Sequence, residues 1–193
     1  MEQADLFTGQ VALPEGFLYR EELLSSDQEA NLLQMLEPLP FREFEFHGFF
    51  GKRRVVSFGW RYDFNGGGLR KTHDIPAFLL PVRDAAAAFA ELPPQRLQQV
   101  LVTEYRPGAA IGWHKDRSIF GEVVGVSLRS SSTFRMRRKW GRGWQRASLT
   151  LEPRSAYLLQ GPARSHWQHS IPAVEQLRYS ITFRSLNDPP RLS

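Results

Sequence analysis

Cysteine is absent from this 193-residue chain. Its absence excludes disulfide frameworks, thiolate zinc sites, iron–sulfur clusters and cysteine nucleophiles together. Long apolar runs are also missing. The longest candidate, Ala85 to Leu92, is short and carries Glu91, whereas a membrane span needs roughly 18 apolar residues. The first residues, Met1-Glu2-Gln3-Ala4-Asp5, lack the basic-then-apolar order of a secretory signal. The cytoplasm is therefore the expected compartment, and no membrane partner is expected. Lysine is scarce: 4 Lys stand beside 21 Arg, and 25 basic against 20 acidic residues give a net charge of +5. Guanidinium is planar, bidentate and permanently charged, which suits phosphates and carboxylates.

What is present reads as one globular chain, 41% hydrophobic and 23% charged. Residues 1–16 are expected to form an irregular arm and residues 17–193 a single, monomeric domain. Ser25 to Leu39 has a helical pattern: Ser26 and Glu29 have capping-box spacing, Leu32, Leu33 and Leu36 form a stripe, and Pro38 stops it. Phe41 to Phe64 is aromatic and mixed, as in strands joined by loops, and Asn65-Gly66-Gly67-Gly68 reads as a flexible loop. Pro76 to Leu92 is a second helical stretch, kinked or delayed by Pro81 and ended by Pro93-Pro94. Strands follow near Gln98–Tyr105, Val123–Leu128, Thr133–Arg138, Trp144–Leu151, Ser155–Leu159 and Arg178–Arg184. The expected class is mainly β with flanking helices (α+β), built as a double-sheet barrel with helices on one face.

Two segments carry chemistry. His114-Lys115-Asp116 places an imidazole and a carboxylate two residues apart, on one side of an extended chain. A third ligand can come from His169, in Trp167-Gln168-His169-Ser170-Ile171-Pro172, with His166 as its rival. Two histidines and one carboxylate with three open positions form the facial triad of non-haem Fe(II) oxygenases. The last strand, Arg178-Tyr179-Ser180-Ile181-Thr182-Phe183-Arg184, alternates strictly. One face is apolar. The other carries two guanidiniums and two hydroxyls, which inside a barrel demand anionic partners.

His114-x-Asp116, His169 and Arg178-x5-Arg184, in this order, resemble the AlkB family of Fe(II)/2-oxoglutarate dioxygenases, and the resemblance runs from about Phe50 to Ser185. It takes in Tyr105-Arg106-Pro107-Gly108 before the metal motif, Ser127-Leu128 after it, and His169-Ser170-Ile171-Pro172 near the end. The resemblance implies a double-stranded β-helix (jelly-roll) core and iron ligation by His114, Asp116 and His169. It further implies that Arg178 and the Tyr105 hydroxyl hold the distal carboxylate of 2-oxoglutarate, with Thr103 and Ser180 alongside and Arg184 near its chelating end. Thr103 stands where the family usually has Asn. Fe(II), 2-oxoglutarate and O₂ are the implied cofactors. The implied reaction is oxidative dealkylation of N-alkylated bases in DNA or RNA, releasing formaldehyde, succinate and CO₂.

Substrate signals are weaker. Glu122 and Glu152 bracket 29 residues without an acid, among them Arg129, Arg135, Arg137, Arg138, Lys139, Arg142 and Arg146, interleaved with Trp140 and Trp144. A hairpin turning at Gly141-Arg142-Gly143 would present a basic, aromatic tip suited to phosphates and bases. Residues 41–73 correspond to the family's substrate lid, where Arg53 and Arg54 offer charge and Trp60 and Tyr62 offer rings for an extruded base. Ser118 occupies the position at which DNA-repair members usually carry an acid. This stretch and Phe58 to Phe64 look more like the branch that hydroxylates a tRNA wobble uridine side chain. Hydroxylation of a modified tRNA base, of a protein or of a small molecule thus stays open beside dealkylation, as does a non-catalytic jelly-roll binding module.

Overall fold

The computed structural model describes residues 13–46, 49–63 and 68–187, with the side chains of 45–51 left aside. Most of the expected arm, His47, and Phe64 to Gly67 of the expected lid and loop lie outside the described residues. Helix α1 (Ser26–Leu36) opens on a capping box one residue earlier than the spacing predicts. Ser25 Oγ accepts from the Gln28 N–H at 3.2 Å, and Gln28 Oε1 accepts from the Ser25 N–H at 2.8 Å. Glu29 is not free to cap, because its carboxylate accepts from the Arg129 N–H at 2.7 Å and bonds Arg154 at 3.4 Å. Pro81 lies in the first turn of α2 (Leu80–Phe89), behind a single 3₁₀ turn. There its missing N–H costs nothing, so it begins the helix and does not kink it.

Strands β1 (Phe17–Arg20), β2 (Arg42–Phe46) and β3 (Phe49–Phe58) precede a small antiparallel pair, β4 (Trp60–Asp63) and β5 (Gly68–Lys71). Gly59 joins β3 to β4 with φ +73°, and a Cβ there would run into the Gln98 carbonyl oxygen, so only glycine makes this turn without strain. After α2 come β6 (Leu97–Tyr105), β7 (Ile111–His114), β8 (Phe120–Leu128), β9 (Ser132–Trp140), β10 (Gly143–Leu151), β11 (Ala156–Leu159), the short helix α3 (Gly161–Ser165), β12 (Gln168–Ile171) and β13 (Arg178–Leu186). They form a seven-stranded sheet, in order β1-β11-β8-β13-β6-β3-β2, and a four-stranded sheet, β10-β9-β12-β7. Every pairing is antiparallel. This is the mainly β, double-sheet fold with helices on one face that the strand pattern predicts.

The large sheet has two working faces. Tyr179, Ile181 and Phe183 of β13 join Val100, Val102, Val124 and Val126 in a core completed by Leu32 and Leu36 of α1 and Val82 and Ala86 of α2. The opposite face meets the small sheet over a second core that includes Tyr105, Phe134, Met136, Tyr157, Leu159 and Ile171. Alternation along β13 thus sends Arg178, Ser180, Thr182 and Arg184 between the sheets, and all four are buried.

The inter-sheet space is filled to contact at Gly125, which pairs with Tyr157; a Cβ there would strike the Tyr157 ring. Overpacking of this kind costs roughly 1–3 kcal/mol. Gly125→Ala is therefore expected to lower the unfolding free energy read from urea denaturation by that amount, while Gly143→Ala, whose added Cβ would lie 3.9 Å from the Trp140 carbonyl oxygen, leaves it almost unchanged.

Candidate metal and diacid site

His114 is the last residue of β7, Asp116 lies in the loop that follows, and His169 is on β12 directly opposite His114. Antiparallel pairing brings these two imidazoles within 4.2 Å, centroid to centroid. Nδ1 of His114 lies 2.8 Å from the Gly112 carbonyl. A carbonyl can only accept, so Nδ1 carries the proton and Nε2 is left as a ligand. His169 stacks on Phe134, 5.3 Å between ring centroids, and its Nε2 lies 3.7 Å from Asp116 Oδ2. One ligand atom from each of the three residues lies within 4.8 Å of the others; His169 is buried, and His114 and Asp116 are half-buried. His166, at the end of α3, is exposed and outside the cluster.

Arg184 fixes the carboxylate. Its Nε and Nη2 lie 2.8 and 2.7 Å from Asp116 Oδ1, and its Nη1 donates to Gln99 Oε1 at 2.9 Å. Burial by itself would raise the Asp116 carboxyl, but Arg184 foremost, with the two imidazoles, holds it well below the usual carboxylate range. Burial, reinforced by neighbouring His114 and opposed by Asp116, pushes His169 down to about 3. Burial lowers His114 as well, against the pull of Asp116, so both imidazoles favour the neutral form that presents a lone pair to a metal. Arg164 pins the loop after Asp116 by donating to the carbonyls of Arg117, Phe120 and Gly121 at 2.7, 2.6 and 2.9 Å.

Arg178 is 1% exposed. Its Nε and Nη2 donate to Ser127 Oγ at 3.2 and 3.0 Å, and its guanidinium lies 5.0 Å from the Tyr105 ring centroid. Nη1 has no partner among the described residues. Ser180 pairs with Thr103 and Ser127, and Arg178 with Tyr105, so these groups share one pocket floor. A buried guanidinium with an unmet donor is a costly arrangement unless an anion completes it. The donor sets fit the implied pair: two nitrogens and one oxygen for ferrous ion, and a cation flanked by hydroxyls for a diacid.

The substrate candidates divide. Arg53 sits opposite Tyr105 on β3, facing the same space, with its guanidinium 3.8 Å over the Phe44 ring and no ion pair among the described residues. Burial lowers its pKa. Arg54, one residue on, turns to the other face and clasps Glu104 through two 2.8 Å hydrogen bonds; the structure does not bring it to the site. Trp60 is packed against Phe120 and Leu186, so its ring is committed to a core, and Tyr62 packs partly against it. Ser118 is exposed near the mouth, where its carbonyl accepts from Asn187 Nδ2 at 2.7 Å. Arg137 is on the outer face of the small sheet, beside Gln168, with the sheet between it and the metal ligands. Gln99 and Arg164 escaped the sequence reading. Gln99 was within reach, since it continues the Thr103–Tyr105 alternation on β6, whereas Arg164 acts through backbone carbonyls that leave no sequence signal.

Residues 16–184 match the model of the 2OG-Fe(II) oxygenase superfamily. Among curated proteins, the chain is 28% identical over 171 residues to the mouse (Mus musculus) tRNA (carboxymethyluridine(34)-5-O)-methyltransferase ALKBH8, covering 84% of this chain and 25% of that protein. It is 27% identical over 160 residues to the Arabidopsis thaliana alkylated DNA repair protein ALKBH8 homolog, covering 69% of this chain and 46% of that one. An uncharacterised protein of Acanthamoeba polyphaga mimivirus is 29% identical over 105 residues, 48% of this chain and 50% of its own. The chain thus spans between a quarter and a half of these relatives. The solved structure of OsALKBH1 superposes with a TM-score of 0.68 at 18% identity, over 90% of this chain and all of that one, which is a likeness of fold.

Asp116→Ala removes a ligand and also strips Arg184 of its carboxylate; orphaning one partner of a buried pair costs about 3–5 kcal/mol. His114→Ala removes a ligand without orphaning a charge. Both variants are expected to lose Co(II) binding followed by visible absorption, and Asp116→Ala alone is expected to unfold at markedly lower urea. Equal stability of the two variants would refute the ion-pair account.

Proposed function

The chain belongs to the 2OG-Fe(II) oxygenase superfamily, and from that premise we propose that it is an AlkB-like dioxygenase that oxidises an alkylated or modified base in nucleic acid. The observation that carries the reading is Arg178: a fully buried guanidinium with an open donor, in the same inter-sheet space as a His–Asp–His cluster. That combination fits a diacid cosubstrate and no ordinary packing role. His114, Asp116 and His169 would hold Fe(II), and Arg178, Tyr105, Thr103 and Ser180 would hold the distal carboxylate of 2-oxoglutarate. When bound, Fe(II) with 2-oxoglutarate and O₂ supplies oxidative decarboxylation to succinate and CO₂ together with hydroxylation of a substrate C–H bond.

The chain's own residues do the positioning. Arg184 and Gln99 fix the rotamer of Asp116, the Gly112 carbonyl fixes the tautomer of His114, and Phe134 braces His169. The apolar lining of Phe134, Met136 and Tyr157 keeps water from the reacting centre. Residues 41–73 form the substrate lid in this reading, and Arg53 is the cation placed to meet a phosphate or a base edge. Ser118 reads the base with a hydroxyl where a carboxylate would bind an exocyclic amine more firmly, which keeps tRNA modification as the second reading. The names of the curated relatives support nucleic acid as the substrate class. A cytoplasmic monomer is part of the same proposal.

With Fe(II) and 2-oxoglutarate the protein is expected to form succinate, and Arg178→Gln is expected to raise the KM for 2-oxoglutarate at least tenfold, the loss of one charged hydrogen-bonding group. An unchanged KM would remove Arg178 from the site. Formaldehyde released from methylated oligonucleotides marks dealkylation; a gain of one oxygen on tRNA without formaldehyde marks modification.

A further inference from the structure

The four strands of the small sheet, β7, β9, β10 and β12, contain no aspartate or glutamate. Their inner face holds the two histidine ligands. Their outer face collects cations and indoles. Arg135, Arg137 and Lys139 alternate along β9, and across the hairpin Trp144 stands opposite Lys139 and Arg146 opposite Arg137. The Arg137 guanidinium is held between two rings, 4.3 Å from Trp113 and 4.3 Å from Trp144. Arg135 lies 5.2 Å from Trp113, and Lys139 lies 5.1 Å from Trp144. Uncharged Ser170 and Gln168 accept from Arg135 and Arg137 at 3.1 and 2.8 Å, and none of these cations has an ion pair among the described residues. At the hairpin tip Arg142 is exposed, and on this face Trp144 is 37% exposed.

A solvated basic face normally mixes in carboxylates, so a patch of one sign repels itself and persists where something anionic covers it. Sandwiching between indoles fixes the plane of Arg137 before any ligand arrives, which lowers the entropic cost of binding a phosphate. The cations also form a row. From Arg135 to Lys139 along β9 is four residue rises, about 13 Å, long enough to follow a sugar–phosphate backbone rather than to cup one phosphate. Beside the Arg135 end of the row stands Trp113, on edge strand β7, and the next residue is His114 on the inner face.

We propose that the outer face of the small sheet is a track for single-stranded nucleic acid, with Arg137, Lys139, Arg142 and Arg146 on its phosphates and Trp144 under a base, leading over the β7 edge toward the metal site. The inference rests on the nucleic-acid reading above and extends it to a surface outside the catalytic space. Stacking and unpaired cations without directional acceptors favour a strand held by backbone and ring faces, so binding is tolerant of sequence.

The test is fluorescence anisotropy of the protein with short labelled oligodeoxythymidine and oligouridine across a salt series. Lys139→Gln, Arg142→Gln and Arg146→Gln together are expected to weaken binding at least tenfold and to flatten the log K against log salt slope by about two, at roughly 0.7 per phosphate contact in single strands. Arg20→Gln, Arg83→Gln and Arg96→Gln, an equal loss of charge elsewhere, are expected to weaken it less than threefold. Trp144→Leu, on the outer face of the hairpin, is expected to cost about fivefold with the slope unchanged, and it tests the face separately if the triple variant fails to fold. Equal losses in both triple variants, or displacement of the oligonucleotide by polyglutamate at equal charge concentration, would overturn the track. If the parent protein binds neither oligonucleotide even at low salt, the nucleic-acid reading fails with it, and succinate formation from 2-oxoglutarate would still report on the oxygenase itself.

Discussion

Two guanidiniums between two sheets set the terms for this molecule. Transfer of a cation out of water is unfavourable by several kcal/mol even after the protein relaxes around it. Arg184 offsets that with a carboxylate and an amide oxygen, Asp116 and Gln99. Among the described residues Arg178 has a serine hydroxyl and the nearby Tyr105 ring, and one of its nitrogens is without a partner. The two ends of a single strand face thus differ: one arginine is paired with a carboxylate of the His–Asp–His cluster, and the other keeps an open donor, which is what the proposed diacid would fill. A purely structural strand would gain stability from apolar residues at both positions.

The fold supplies the scaffold by the period of two. From Arg178 to Arg184 each residue of β13 that faces the helices is apolar or aromatic, and each that faces the small sheet is polar, so packing and chemistry share a strand without sharing a side. Neighbouring strands in register extend the rule. Tyr105 and Thr103 of β6, Ser127 of β8 and Arg53 of β3 all reach the same space because each pairs with a residue that already faces it. A slip of one residue would exchange the guanidiniums with Tyr179 and Phe183 and lose both functions at once.

The parts legible in the sequence were those with a strict local pattern. The longer strands of the second half, the helix patterns, the triad and the arginine pair follow from periodicity and spacing together with one family resemblance. What escaped was set by partners distant in the chain. Strands β1, β7 and β12 are four residues long, too short to show a period, and they exist because a neighbour offers a ladder to complete. Ser25 replaced Ser26 as the cap because Glu29 was needed by Arg129 and Arg154. Arg53 and Arg54 looked equivalent as a basic pair, yet strand alternation sends one to the site and the other to Glu104. Arg137 read as a substrate contact of the basic hairpin but stands on the outer face of the small sheet, between two tryptophans, one of which lies 24 residues back in the chain.

The missing carboxylates of the small sheet link its two faces. On the inner face, any aspartate or glutamate beside His114 and His169 would add a second anionic ligand and close a position that O₂ or a diacid must use. The single carboxylate comes from a loop, and Arg184 limits its freedom. On the outer face, an acid within the hairpin would pair with Arg137 or Lys139 and cancel the field that the indoles hold in place. One compositional rule, no acid on these four strands, therefore keeps the metal's open positions open and the exterior positive. The rule accounts for the larger part of the acid-free stretch between Glu122 and Glu152, the part that runs through both strands of the basic hairpin; its first residues belong to β8 of the large sheet and lie outside the rule.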